Sequence, residues 1–154
     1  MGIEDSYNFR RIDERLTTSG VVTAEQLRGL RADGYDAVVN LLPNESEHAV
    51  PEEAVLVTAQ GVDYVHIPVD FAAPTHADFE AFATAMDAHA EQRVHVHCAA
   101  NYRVSAFYSL YALEHGLVDV EQADDLVRDL WDADADPVWS GFLAAERARI
   151  QGGD

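Results

Sequence analysis

The stretch Arg93-Val94-His95-Val96-His97-Cys98-Ala99-Ala100-Asn101-Tyr102-Arg103-Val104-Ser105 decides how this chain reads. Residues 93–97 (RVHVH) are short and carry valine at alternate positions, which predicts a strand. Residues 104–115 (VSAFYSLYALEH) have the length and content of a helix, with Gly116 placed to end it. The loop between them holds the only cysteine and, five positions on, an arginine. Successive backbone N–H groups in such a turn can point at one centre. The helix N-terminus adds about half a positive charge, and Arg103 offers a two-pronged donor to oxyanions. The same field acts on the sulfur, because a free thiol titrates near about 8.5 and one beside cations at a helix N-terminus near about 3.5–7.5. Cys98 is therefore a candidate nucleophile and Arg103 a candidate oxyanion holder. His97, Ala99, Ala100, Asn101 and Tyr102 form the candidate anion loop around them. A lone cysteine is more often a small buried side chain, but strand, Cys, short loop, Arg and helix together favour the reactive reading.

Outward from this loop the chain alternates strands and helices. Thr23 with Gln26 forms a capping box for a helix over 24–32, ended at Gly34, and residues 36–42 (DAVVNLL) read as a strand buried on both faces. Pro51 opens a helix ending near Gly61, residues 64–69 (YVHIPV) read as the next strand, and Thr75 caps a helix over 76–92. Helices over 120–131 and from Pro137 close the chain, and residues 9–19 add one or two irregular edge strands. Strands separated by helices require crossovers. The fold class is therefore α/β, a mainly parallel central sheet flanked by helices, with ligands beyond the carboxyl ends of its strands.

Composition bounds the function. The 154 residues fit one domain over 1–154, and 48% hydrophobic with 25% charged residues is globular composition. There are 28 acidic and 10 basic residues, a formal net charge of −18, and every cation is Arg. A field of that sign repels phosphate backbones and anionic lipid, so neither nucleic acid nor membrane is an expected partner. Dense carboxylates without Lys are the pattern of salt-loving archaea, which makes a haloarchaeal, halophilic source the expectation. One unpaired cysteine and a charged N-terminal stretch without an apolar run predict a cytoplasmic protein. Met1, Gly2 and Ser6 match a short lipidation pattern, which Glu4 and Asp5 argue against.

His97-Cys98, Arg103 and Ser105 resemble the active-site signature of the cysteine-based protein phosphatases. The pieces Thr18-Ser19-Gly20, Thr23-Ala24-Glu25-Gln26-Leu27, Val39-Asn40-Leu41-Leu42-Pro43 and His66-Ile67-Pro68-Val69-Asp70 occur upstream in order. Together they resemble the beta-lactamase-hydrolase-like phosphatases, a compact branch of the dual-specificity phosphatase fold. The resemblance implies hydrolysis of phosphomonoesters, on a phosphorylated protein or a small molecule, with no metal or organic cofactor. By it, Cys98 attacks phosphorus, Arg103 and the loop amides hold the equatorial oxygens, and Ser105 hydrogen-bonds the departing thiolate. It also places a proton donor after the preceding strand, where Asp70 stands 28 positions before Cys98; Asp78 competes for that role, and helix capping is the alternative use of either.

Two features depart from the common phosphatase loop: four residues rather than five separate Cys98 from Arg103, and the usual Gly is missing, leaving Asn101 as the residue most tolerant of a left-handed backbone. A six-residue loop also occurs in rhodanese sulfurtransferases. A Cys98 persulfide enzyme and a non-catalytic oxyanion-binding module therefore remain as alternatives. His66, His95 and His97 read as core or supporting imidazoles rather than metal ligands, and Asp132, Asp134 and Asp136 as a solvated loop rather than a calcium site. Tyr102 reads equally as a stacking surface for an aryl substrate or as a prop for the loop.

Overall fold

A computed structural model describes residues 2–152; Met1, where the lipidation pattern would begin, and the last two residues of the expected 1–154 span lie outside them. Five strands, β1 (Arg10–Arg11), β2 (Leu16–Ser19), β3 (Ala37–Asn40), β4 (Asp63–His66) and β5 (Val94–His97), form one sheet in the order β1-β2-β5-β3-β4. All neighbours are parallel except the edge pair β1–β2. Six helices, α1 (Ala24–Arg28), α2 (Glu53–Thr58), α3 (His76–Ala88), α4 (Tyr102–Glu114), α5 (Val120–Arg128) and α6 (Pro137–Gln151), cover its two faces.

Adjacent valines show why β3 is apolar at every position. Val39 packs in the cluster with Val96, Phe82, Phe107 and Trp139, while Val38 packs with Leu27, Tyr35 and Val57 on the opposite face. Capping boxes fix three helix starts, at Thr23 with Gln26, Thr75 with Asp78 and Asp119 with Gln122. Each cap contributes about 1 kcal/mol. Asp136 caps α6, accepting from the N–H groups of Val138 and Trp139, so the acidic run there is spent in part on a helix start.

Several boundaries differ from the sequence reading. The strand expected at 64–69 pairs only over Asp63–His66, α3 stops at Ala88, and α4 begins at Tyr102, two residues early, which places Arg103 inside the helix. The larger correction concerns residues 9–19. Of the two strands there, only β1 is an edge; β2 lies between β1 and β5 with all four residues buried. Its polar side chains disguise an interior strand, because Thr17 and Ser19 are spent on His95. Thr17 Oγ1 lies 2.8 Å from Nδ1 and Ser19 Oγ 2.8 Å from Nε2. Burial, and secondarily the neighbouring His97, hold the His95 pKa well below the usual histidine value, so the ring is neutral.

The register brings Ser19, His97, Asn40 and His66 level at the carboxyl edge of the sheet. The loops that follow these four residues therefore gather at one end of the molecule. No helix among the described residues is long and apolar enough to cross a membrane.

Candidate active site

Cys98 directly follows β5, its N–H donating to the Ser19 carbonyl at 3.3 Å, and only 1% of it is exposed. Asn101, directly before α4, is fully buried and left-handed at φ 68°, ψ 11°. That conformation costs a non-glycine residue about 1–2 kcal/mol, and a clasp to the N-terminal segment offsets it. Asn101 Nδ2 donates to the Asn8 carbonyl at 2.9 Å and to Thr18 Oγ1 at 3.0 Å, while Asn8 Nδ2 donates back to the Ala100 carbonyl at 2.9 Å. The Val21 N–H donates to the Ala99 carbonyl at 2.8 Å. In a trans peptide the next N–H points opposite its carbonyl, so with both carbonyls held on the N-terminal side the N–H groups of Ala100 and Asn101 face away from it. Those two N–H groups, and that of Ala99, have no acceptor among the described residues.

Gly20 is the other half of this seat. A Cβ there would stand 2.5 Å from the Ala99 carbonyl oxygen and 2.8 Å from Ala100 Cα, both backbone atoms. Gly20→Ala is thus expected to cost about 1–3 kcal/mol through overpacking. An unchanged urea midpoint would show that the loop does not rest on this residue. The sequence reading named neither Asn8 nor Gly20 as a site residue; a single Asn gives no signal, and Gly20 entered only within the Thr18-Ser19-Gly20 piece of the resemblance.

No side chain caps α4, and its first turn holds no acid. Arg103 sits in that turn, half-buried, with Nε buried and unpartnered, and its guanidinium carbon 5.2 Å from the centre of the Phe71 ring. In a chain with 28 carboxylates it forms no ion pair among the described residues. Orphan amides, an uncapped helix start and an unpaired guanidinium converge on one short loop, a donor set suited to an oxyanion.

Arg103 and Asp70 line the same open cleft of about 850 Å³, together with His66, Phe71 and residues of the 43–46 loop. Cys98 is not among the residues that line it; it is buried and belongs to the apolar core cluster. Asp70 is exposed, and its Oδ1 accepts from the Ala72 N–H at 2.9 Å. Asp78 is elsewhere, spent on the reciprocal capping box with Thr75. The Asp70 loop is pinned by the Phe71 carbonyl, which accepts from Trp139 Nε1 at 2.8 Å, and by the Phe71 ring packed on Trp131 and Trp139. Tyr102 stacks on Trp131, ring centres 4.6 Å apart and planes within 3°. It is thereby a prop between the two loops, a role the sequence left open.

Ser105 does not face the cleft. Its hydroxyl donates to the Tyr102 carbonyl at 3.1 Å, and the residue lines a smaller cavity of about 200 Å³ behind the loop with Thr18 and Tyr108. The three histidines discussed as possible ligands are bound separately: His95 to Thr17 and Ser19, His66 Nε2 to the Leu42 carbonyl, and His97 Nε2 to Glu53 Oε2 at 2.6 Å. Glu53 was not anticipated, since an acid at the start of a helix ordinarily faces water. Here it is 5% exposed and also lies 3.3 Å from Asn40 Nδ2.

Comparison with known proteins agrees with this architecture. Residues 3–131 match the family described as DSP-PTPase phosphatase fused to NAD+ kinase. A protein of Shewanella putrefaciens CN-32 described as "Putative phosphatase (DUF442)" superposes with a TM-score of 0.87 at 37% identity, covering 96% of each chain. A beta-lactamase hydrolase-like protein of Agrobacterium fabrum is 33% identical over 118 residues, 75% of this chain but only 27% of that protein, so the chain spans about a quarter of its relative. Pseudomonas aeruginosa TpbA, solved in complex with pTyr, shares the fold with a TM-score of 0.70 at 17% identity, covering 95% of this chain and 91% of that one. Haloarchaeal origin finds no support in these matches. With its cysteine-phosphatase fold and a match over most of its length, the chain belongs to the family of DSP-PTPase phosphatases described as fused to NAD+ kinase.

Proposed function

We propose that the protein hydrolyses phosphomonoesters through a phosphocysteine intermediate. The observation that carries this reading is the pairing, across one cleft, of an unpaired guanidinium beside an uncapped helix start with a solvent-facing carboxyl. The Cys98 thiolate attacks phosphorus and the bond from phosphorus to the ester oxygen breaks. Asp70, protonated at that moment, gives its proton to the departing oxygen. Arg103 and the amides of 99–101 hold the three equatorial oxygens as charge develops on them. The Asp70 carboxylate then takes a proton from water, whose oxygen attacks the phosphocysteine. Inorganic phosphate leaves, and the thiolate returns. Rotation of the Ser105 hydroxyl from the Tyr102 carbonyl would let it donate to that thiolate.

A sulfurtransferase has no use for an acid opposite the anion loop, which is why Asp70 in the cleft favours hydrolysis. The test is phosphate release from p-nitrophenyl phosphate without added metal, run beside consumption of thiosulfate and cyanide. Phosphate release with no thiocyanate formed supports the reading, and the reverse pattern overturns it. Asp70→Asn is expected to slow an alkyl phosphate by about 100-fold, and an aryl phosphate with a good leaving group far less. Equal slowing of both would remove Asp70 from the acid role.

A further inference from the structure

The cleft carries its charge unevenly, and this names the class of phosphomonoester it takes; the inference rests on the phosphatase reading above. Of the ten arginines, only Arg103 lines the cleft among the described residues, and the chain has no Lys. A second cavity of about 510 Å³ adjoins the cleft, sharing Asn44, Ser46 and His66 in its wall and containing no arginine. Glu52 lines that second cavity, and Glu45 lines the cleft together with Arg103. Both are exposed, and neither meets a cation among the described residues. Glu52 is moreover held left-handed at φ 57° before α2, with its side chain not used as a cap. Glu53, beside it, is already committed to His97 and Asn40.

In the groove that these adjoining cavities make, Arg103 is the cation for an anion, while Glu45 and Glu52 are carboxylates with no cation partner among the described residues. A substrate with phosphate at Arg103 and further negative charge along the groove meets repulsion, and one with positive charge there meets attraction. At about 850 Å³ and 510 Å³ the two cavities exceed what a small amino-phosphate fills and suit an extended peptide. We propose that the protein acts on phosphorylated side chains flanked by basic residues, with Glu45 and Glu52 as its specificity-determining carboxylates.

The experiment compares two phosphotyrosine peptides, identical except that arginine or glutamate flanks the phosphorylated residue on both sides, with p-nitrophenyl phosphate as a neutral reference. The basic peptide is expected to show a kcat/KM about tenfold above the acidic one, the effect of two partly screened charge pairs. That ratio is expected to shrink as KCl is raised. In the Glu45→Gln/Glu52→Gln variant the ratio should contract to about two- to threefold, the residue of the protein's overall charge. Glu45→Gln alone, on an exposed loop, should give an intermediate ratio. Equal rates on both peptides, or a double variant that keeps the full ratio, would overturn the charge assignment while leaving the phosphatase reading intact. No turnover of any of the three substrates would overturn both.

Discussion

Cys98→Ser is expected to lower phosphate release from an aryl phosphate by on the order of 10⁶, to background, as loss of a covalent nucleophile does where nucleophile and environment act as a unit. The substitution is nearly isosteric at a position 1% exposed, so the loop should keep its shape. What changes is chemistry: an alcohol is scarcely ionised at neutral pH, and Asp70, the carboxyl proposed as the acid, lines the cleft while residue 98 does not. The anion-holding parts do not include the sulfur. Inorganic phosphate should therefore still raise the melting temperature of the variant through the orphan amides and Arg103. Activity within tenfold of the parent protein would remove Cys98 from the mechanism. Loss of both turnover and phosphate stabilisation would instead mean that the loop had collapsed, and that the thiol has a structural role.

How much of this was legible beforehand follows from the range of the interactions. The Cys98–Arg103 loop is local, because a strand, a turn and a helix start within thirteen residues signal themselves through periodicity and capping. So do the helices at Thr23, Thr75 and Asp119, whose caps are three-residue patterns. Interior β2 was misread as an edge because its Thr and Ser look solvent-facing until His95, 76–78 residues away, is brought alongside them. The Asn8–Asn101 clasp, the Phe71–Trp139 pin and the Glu53–His97 pair join residues 93, 68 and 44 positions apart. Pattern reading has no access to such contacts, since each residue type alone has an ordinary surface use. Asp70 against Asp78 shows the middle case: spacing admits both acids, and only placement in a cleft or in a cap separates them.

The Glu53–His97 pair supports the second large effect. Glu53 is 5% and His97 1% exposed, and their 2.6 Å contact ties α2 to the residue before Cys98. Glu53→Ala removes the partner of His97 Nε2 from a ring whose Nδ1 already has none, and takes from Asn40 Nδ2 one of its two acceptors, leaving only the Tyr64 hydroxyl. Stranding one member of a buried, hydrogen-bonded pair costs about 3–5 kcal/mol. Glu53→Gln, which keeps the shape and an oxygen, should cost nearer 1–2 kcal/mol. Urea unfolding at pH 7 measures both, and a loss under about 1 kcal/mol for the alanine variant would show that the pair does not hold this end of the sheet. Tyr64 gives an independent readout. Burial pushes its pKa up from 10.0 to about 12, the Asn40 hydrogen bond works against this, and the Glu53 charge adds to the rise. A phenol whose pKa is higher folded than unfolded favours folding below pH 10, and that contribution is lost as pH climbs from 10 through 12, because the unfolded chain ionises first. Without the Glu53 carboxylate the ultraviolet titration of Tyr64 should move downward, and the alkaline loss of stability should shrink with it. A titration that stays in place would mean that the Glu53 carboxylate is not charged where it lies.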